Sequence, residues 1–219
     1  MKSFLRASWL AAWVLLTVTA SATPDKWKEE IDQLTTHDAA HPPAPGGIVF
    51  VGSSSIRLWT TLAADFPGLP TLNRGFGGSE LADSVFYEDR LVLAYRPRTV
   101  VLFAGTNDIW AGKTPEAVHA DFIAFQDKLR AALPKTKLIF LSLTLSPSRA
   151  RVHDAMRAAN RLIAAECARD PLCTFVDINT PMSAPHGVPP PELFRDDQLH
   201  LNAKGYAIWT KVLAPYLQP

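Results

Sequence analysis

The chain is poor in the features that would place it in several large classes. Only two of its 219 residues are cysteine, Cys167 and Cys173, and no further ligands are spaced around that pair as a zinc site requires. Basic and acidic residues nearly cancel, 22 against 21. Neither long basic runs nor aromatic residues interleaved with basic ones occur, which sets a nucleic-acid partner aside. There is no internal repeat and no low-complexity segment. Beyond residue 22 no apolar run reaches membrane-spanning length, so no stable membrane span is expected once that segment is gone.

What is present begins with MKSFLRASWLAAWVLLTVTASA, residues 1–22. Lys2 and Arg6, an apolar stretch, and then Ala20, Ser21 and Ala22 form the pattern of a cleavable secretory signal. The uncharged part, residues 7–22, is shorter than the ~20 residues a spanning helix needs, and an uncleaved anchor is the alternative. No cysteine follows the small residues, so no lipid anchor is implied. The expectation is a new N-terminus at Thr23, a domain over residues 23–219, and a secreted or periplasmic location. Without Lys2 and Arg6 the remainder holds 20 basic and 21 acidic residues, a net charge of −1. An oxidising compartment would let Cys167 and Cys173 pair; two buried free thiols are the alternative.

At 47% hydrophobic and 20% charged, the remainder suffices for one core. Trp27, Ile31 and Leu34 at helical spacing predict a helix over 24–40, and HPPAPGG at 41–47 ends it. Strand-like and helical runs then alternate. The strands are IVFVG, TLNRG, TVVLFAG, LIFLS at 138–142 and TFVDI at 174–178; helices are expected near Leu58 and over 81–95, 115–133, 149–168 and 203–217. That alternation implies βαβ units, hence an α/β fold: a single-domain α/β/α sandwich with a five-stranded parallel sheet. The Pro-rich stretch 180–191 reads as an ordered loop.

GIVFVGSSSIRLW, residues 47–59, places three serines after a short apolar strand. Serine is a favoured helix N-cap, so a bland reading exists. The serines nevertheless sit at a strand's carboxyl end, where loops and helix N-termini of α/β sheets converge on ligands. A serine hydrolase also needs a base, an acid to orient it and donors for an oxyanion. FRDDQLHLNAKGY, residues 194–206, puts Asp197 three residues before His200, so one segment can present both. LNRGFGG, residues 72–78, follows another strand and can turn N–H groups outward. FAGTNDIW, residues 103–110, offers the side-chain amide of Asn107. Each of these also has an ordinary reading as turn chemistry. Trp59, Phe76 and Trp110 lie near these loops and are candidates to wall a cleft or to fill the core.

VGSSSI, NRGFGG, GTND and DDQLH, in that order, resemble the four blocks of the SGNH hydrolases, the superfamily that includes the GDSL esterases and lipases. The resemblance implies a flavodoxin-like fold, a nucleophile at Ser54, and an oxyanion hole formed by the Ser54 N–H, Gly78 and Asn107. It further implies a triad completed by Asp197 and His200, with no metal and no cofactor. Ser53 stands where the family commonly has aspartate, and it is expected to cap the following helix; Ser55 is a weaker nucleophile candidate. The α/β-hydrolase elbow, Gly-x-Ser-x-Gly, is excluded because GSSSI lacks its second glycine. The expected function is hydrolysis of carboxylic esters of short acyl or acetyl groups, on a small-molecule or glycan substrate. Alternatives are a lysophospholipase- or thioesterase-like acyl hydrolase and a non-catalytic exported binding protein on the same fold.

Overall fold

The structure, a computed structural model, describes residues 24–183 and 187–218. The expected signal segment lies outside them, as do residues 184–186 of the Pro-rich stretch. A 3₁₀ turn, Pro24–Trp27, leads into α1 (Lys28–Ala40); then come β1 (Ile48–Gly52), α2 (Ser54–Arg57), α3 (Leu62–Asp65) and β2 (Thr71–Gly75). Next are α4 (Leu81–Phe86), α5 (Glu88–Leu91), β3 (Thr99–Phe103), α6 (Thr106–Ala111), α7 (Pro115–Ala132) and β4 (Lys137–Leu141). The chain closes with α8 (His153–Cys167), β5 (Cys173–Val176), α9 (Asn179–Ser183) and α10 (Ala203–Leu213).

The five strands form one parallel sheet in the order β2-β1-β3-β4-β5. β1 and β3 are buried along their whole length, which is why they read as continuous apolar runs rather than alternating ones. Alternate strand residues feed two cores. Val49, Val51, Val100, Leu102, Leu138 and Phe140 face a core closed by α1, α4, α5, α7 and α8. Ile48, Phe50, Val101, Phe103, Ile139 and Leu141 face the other, closed by α2, α3, α9 and α10. The expected α/β/α sandwich with five parallel strands is therefore found.

Three helices differ from their expected spans. The span 81–95 is broken into α4, α5 and a 3₁₀ turn, Leu93–Tyr95. The backbone leaves helical geometry at Val92 (φ −129°, ψ −62°), and Leu91 and Val92 are both fully buried there. The span 149–168 begins as a 3₁₀ segment, Pro147–Val152, in which Arg149 is non-helical and turned inward; α8 starts only at His153. The last helix ends at Leu213, and Pro215 sits in a 3₁₀ turn, Ala214–Tyr216. Cys167 and Cys173 are both buried as free thiols, their Sγ atoms 2.6 Å apart. Hydrogen bonding to Cys167, then burial, pushes the Cys173 thiol well above its ordinary pKa.

Candidate active site

The strand order explains how distant parts of the sequence meet. β1 lies between β2 and β3, and the chain leaves it toward β2 on one side and later returns to β3 on the other. That reversal opens a crevice at the strands' carboxyl ends, the usual ligand position in such sheets. Ser54, Gly78 and Asn107 follow β1, β2 and β3, so three adjacent strands deliver them to one edge.

The turn after β1 depends on Gly52. Its φ is +131°, and a Cβ there would come 2.0 Å from the Phe103 carbonyl oxygen, so only glycine permits this approach. The Ser53 N–H then donates to the same carbonyl at 3.0 Å. The Ser53 carbonyl accepts from the N–H groups of Ile56 and Arg57, which starts α2 at Ser54. The Ser53 side chain makes no cap bond, contrary to expectation: the residue is buried, and its main chain rather than its hydroxyl anchors the first turn. From α10, the Tyr206 hydroxyl donates to the Ser55 carbonyl at 2.8 Å and ties down the other side of α2.

Asp197 and His200 lie in a loop closed by an isolated antiparallel bridge between Phe194 and Leu201. A strand-end position for this loop, which the other three blocks have, is not found: α9 and a 3₁₀ turn, Pro191–Leu193, separate it from β5. Gln198 adopts a left-handed φ of +54°, which folds the loop tightly between acid and base. The Asp197 Oδ1 accepts from the N–H groups of Leu199 and His200, each at 2.9 Å. Its Oδ2 lies 2.6 Å from His200 Nδ1, and His200 Nε2 lies 2.8 Å from Ser54 Oγ. Burial alone would raise the Asp197 pKa; the His200 N–H, the His200 ring and the Leu199 N–H outweigh it and hold the carboxylate at about 2. The bond from His200 goes to Ser54, not to Ser55.

Two further groups face the same edge. Gly78 has a φ of +75° and is exposed; its N–H and that of Ser54 have no acceptor among the described residues. The Asn107 Nδ2 donates to the Ser79 carbonyl at 2.9 Å, and its Oδ1 accepts from Arg149 Nη2 at 2.7 Å. Behind them Asp108, fully buried, accepts from the Leu81 N–H and from Lys113 Nζ and joins the β3 loop to the start of α4; burial lifts its carboxyl to about 6 despite that lysine. Chemically, the edge holds a hydroxyl in line with an imidazole and a carboxylate, beside N–H groups free to receive an anion.

The other histidines are engaged elsewhere. His153 contacts the Ser146 carbonyl, His119 lies beside Glu166, and His37 stacks on His41; His186 lies outside the described residues. Of the three aromatic candidates, Trp59 and Phe76 are core residues, 1% and 0% exposed, whereas Trp110 is 38% exposed. Both aromatics turn inward because their neighbours face them: Trp59 packs on Tyr206 and Trp209, and Phe76 on Trp27 and Tyr87. Sequence reasoning missed Arg149, whose one signal was its position just beyond β4's carboxyl end. Among the described residues there is no group of three or more His, Cys, Asp or Glu suited to a metal ion, and no helix long and apolar enough to cross a membrane.

Several solved structures share this fold. A protein of Streptococcus pneumonia put forward as a platelet activating factor superposes with a TM-score of 0.80 at 20% identity, over 89% of this chain and 94% of its own. A GDSL-like lipase from Bacteroides thetaiotaomicron gives 0.71 at 21% identity, over 85% and 96%. An acetyl-xylooligosaccharide esterase from Geobacillus stearmophilus gives 0.64 at 15% identity, over 81% and 96%. No curated protein matches the chain. The model of the GDSL-like Lipase/Acylhydrolase family matches residues 35–208, the stretch that contains Ser54, Gly78, Asn107, Asp197 and His200, and the chain belongs to that family of ester hydrolases.

Proposed function

We propose that this chain is an exported serine esterase that removes short acyl groups, acetyl foremost, from a small-molecule or glycan ester. The observation that carries this reading is the unbroken hydrogen-bonded series Asp197, His200, Ser54, with 2.6 Å and 2.8 Å between the reacting atoms. In this scheme His200 Nε2 takes the Ser54 proton as Oγ attacks the ester carbonyl carbon. The carbonyl π electrons move onto oxygen, and that oxyanion is received by the N–H groups of Ser54 and Gly78 and by the Asn107 amide. On collapse, Nε2 returns the proton to the departing alcohol and leaves an acyl-Ser54. Water, deprotonated by the same Nε2, then attacks the acyl carbon, and the acid is released as Oγ regains its proton. Asp197 keeps Nδ1 protonated and stabilises the imidazolium between these steps.

The short-acyl preference rests on the openness of the edge. The Asp197 side chain is 47% exposed and Gly78 is exposed. With Trp59 and Phe76 committed to the core, only Trp110 of the three aromatic candidates is exposed, and its ring is stacked by the Arg151 guanidinium at 3.8 Å. Such a surface can bury few methylenes, each worth about 0.8 kcal/mol. Acetyl esters also match the names of two structural neighbours, the Geobacillus acetyl-xylooligosaccharide esterase and an acetyl esterase solved with acetate ion. Export rests on the signal pattern of residues 1–22, with the hydrolase domain occupying 23–219. The test is a screen of the protein against p-nitrophenyl esters of graded chain length beside acetylated glycans. Ser54 labelling by an organophosphonate, with kcat/KM highest from acetyl to butyryl, supports the reading. A steady rise beyond octanoyl overturns the short-acyl assignment, and no hydrolysis with no label overturns the enzyme.

A further inference from the structure

Arg149 is a buried cation, only 7% exposed, that contacts no carboxylate directly among the described residues; the Asp108 charge acts on it from a distance and partly opposes the effect of burial. Its hydrogen bonds go instead to the first turn of α6, which follows β3: Nη1 donates to the Thr106 carbonyl and Nη2 to the Asn107 Oδ1 at 2.7 Å. The Trp110 ring centroid lies 5.4 Å from the Arg149 guanidinium and 3.8 Å from that of Arg151. Burial lowers its pKa to about 10, which still leaves it protonated at neutral pH.

The Asn107 amide is thereby held by two partners of opposite polarity. The guanidinium takes its oxygen, and the Ser79 carbonyl takes one hydrogen of its nitrogen. Rotating the amide by half a turn would set its oxygen against the Ser79 carbonyl and its NH₂ against the guanidinium donors, an acceptor facing an acceptor and a donor facing donors. One orientation survives. In that orientation the second Nδ2 hydrogen is left over, at the edge where the proposed oxyanion forms. The segment that carries Arg149 also meets the acid-base loop, since the Ser148 N–H donates to the Gln198 carbonyl at 3.1 Å.

We propose that Arg149 is the positioning residue of the oxyanion hole: it locks the Asn107 amide with Nδ2–H toward the substrate oxygen and polarises that amide so that its N–H donates more strongly as charge develops. Arg149 touches no substrate itself. The inference rests on the serine-esterase reading above, and the experiment separates the two.

Hydrolysis of p-nitrophenyl acetate is measured for the wild type, Arg149→Met, Arg149→Lys and Asn107→Ala, and for each Arg149 variant combined with Asn107→Ala. Expected are a kcat about 10- to 50-fold lower for Arg149→Met with KM within about threefold, and partial recovery in Arg149→Lys. On the Asn107→Ala background the same Arg149 substitutions should lower kcat by no more than about twofold, because the group they act through is gone. Equal losses on both backgrounds, or a fall in Tm with kcat unchanged, overturn the proposal and leave Arg149 a structural tie. If Arg149→Met does not fold, the Arg149→Lys pair of backgrounds decides alone by the same criterion. A wild type that hydrolyses no ester and leaves Ser54 unlabelled overturns the esterase reading and this proposal together; a labelled, active wild type with additive losses overturns only this one.

Discussion

The two halves of the candidate site are built in opposite ways. Ser54, Gly78 and Asn107 hang from the ends of three paired strands, and the turn beneath Ser54 is so tightly packed that Gly52 has no room for a Cβ. Asp197 and His200 instead ride on a surface loop closed by a single bridge, with the Asp197 side chain 47% exposed. The first half draws its precision from burial. The second draws it from hydrogen bonds local to the loop, chiefly the two N–H groups that Asp197 accepts and the His200 ring it orients. The contrast teaches that position and protonation state are supplied separately here: the sheet places the nucleophile, and a four-residue loop manages the proton.

The largest effect expected is from removing either end of the Ser54–His200 bond. Ser54→Ala and His200→Ala should each lower kcat by roughly 10⁴–10⁶-fold, while Ser55→Ala stays within a few-fold of wild type. Steady-state hydrolysis of p-nitrophenyl acetate checks this, and retained activity in Ser54→Ala would reject the assignment. Next comes a pair of substitutions that separates the two halves. Asp197→Asn should cost on the order of 10⁴-fold in kcat through a misdirected His200 tautomer, with little change in Tm because the loop is exposed. Gly52→Ala should do the reverse: it meets the Phe103 carbonyl oxygen at 2.0 Å and should prevent accumulation of folded protein. Circular-dichroism melts beside kinetics read both, and a Tm loss in Asp197→Asn comparable to that of Gly52→Ala would erase the distinction.

Asn107→Ala tests the oxyanion donor. Because the amide meets the substrate oxygen chiefly once charge develops on it, kcat should fall by about 10²-fold with a smaller change in KM. A loss confined to thermal stability would mark Asn107 as a turn former instead.

The centre of the sheet was legible because a parallel strand buried on both faces reads as a near-continuous apolar run, as IVFV in β1 and VVLF in β3 do. The blocks around Ser54, Asn107 and His200 were legible as residue types at strand ends and in a short acid-base segment. What was not legible is whatever depends on side-chain direction across the fold. Trp59 and Phe76 sit beside the site in sequence yet turn into the two cores: Trp59 packs on Tyr206 and Trp209, far along the chain, and Phe76 on Trp27 and Tyr87, which belong to other elements. Ser53 looked like a cap because local chemistry allows it, but the carbonyl of Phe103 captured its main chain. Arg149 was read as the first residue of a helix; its backbone is non-helical and its side chain meets the first turn of α6 at Asn107, a contact that no local pattern carries.

The smallest effect concerns a third carboxyl that sharpens the contrast from the opposite direction. Glu88, in the helical layer of α5, is fully buried, and neither of its side-chain oxygens has a hydrogen-bond partner among the described residues. Burial lifts its pKa from 4.5 to about 8, with Lys128 only partly opposing and Asp89 adding to the rise. Asp197, supported by N–H groups, is driven the other way. A carboxyl whose folded pKa lies above its unfolded one binds more protons in the folded state, so stability falls as pH rises from about 4.5 to about 8 and levels off above that. Glu88→Gln removes the titration but keeps the shape. Its Tm should match the wild type near pH 4.5 and exceed it at pH 9 by roughly 2 kcal/mol in stability, about 4–8 °C in Tm, after allowing for local relaxation around the charged group. Esterase activity should change little at either pH, because Glu88 sits in the helical layer of α5 and makes no hydrogen bond to the site's residues. Parallel melting curves for the two proteins from pH 4.5 to pH 9 would show that Glu88 does not carry this titration.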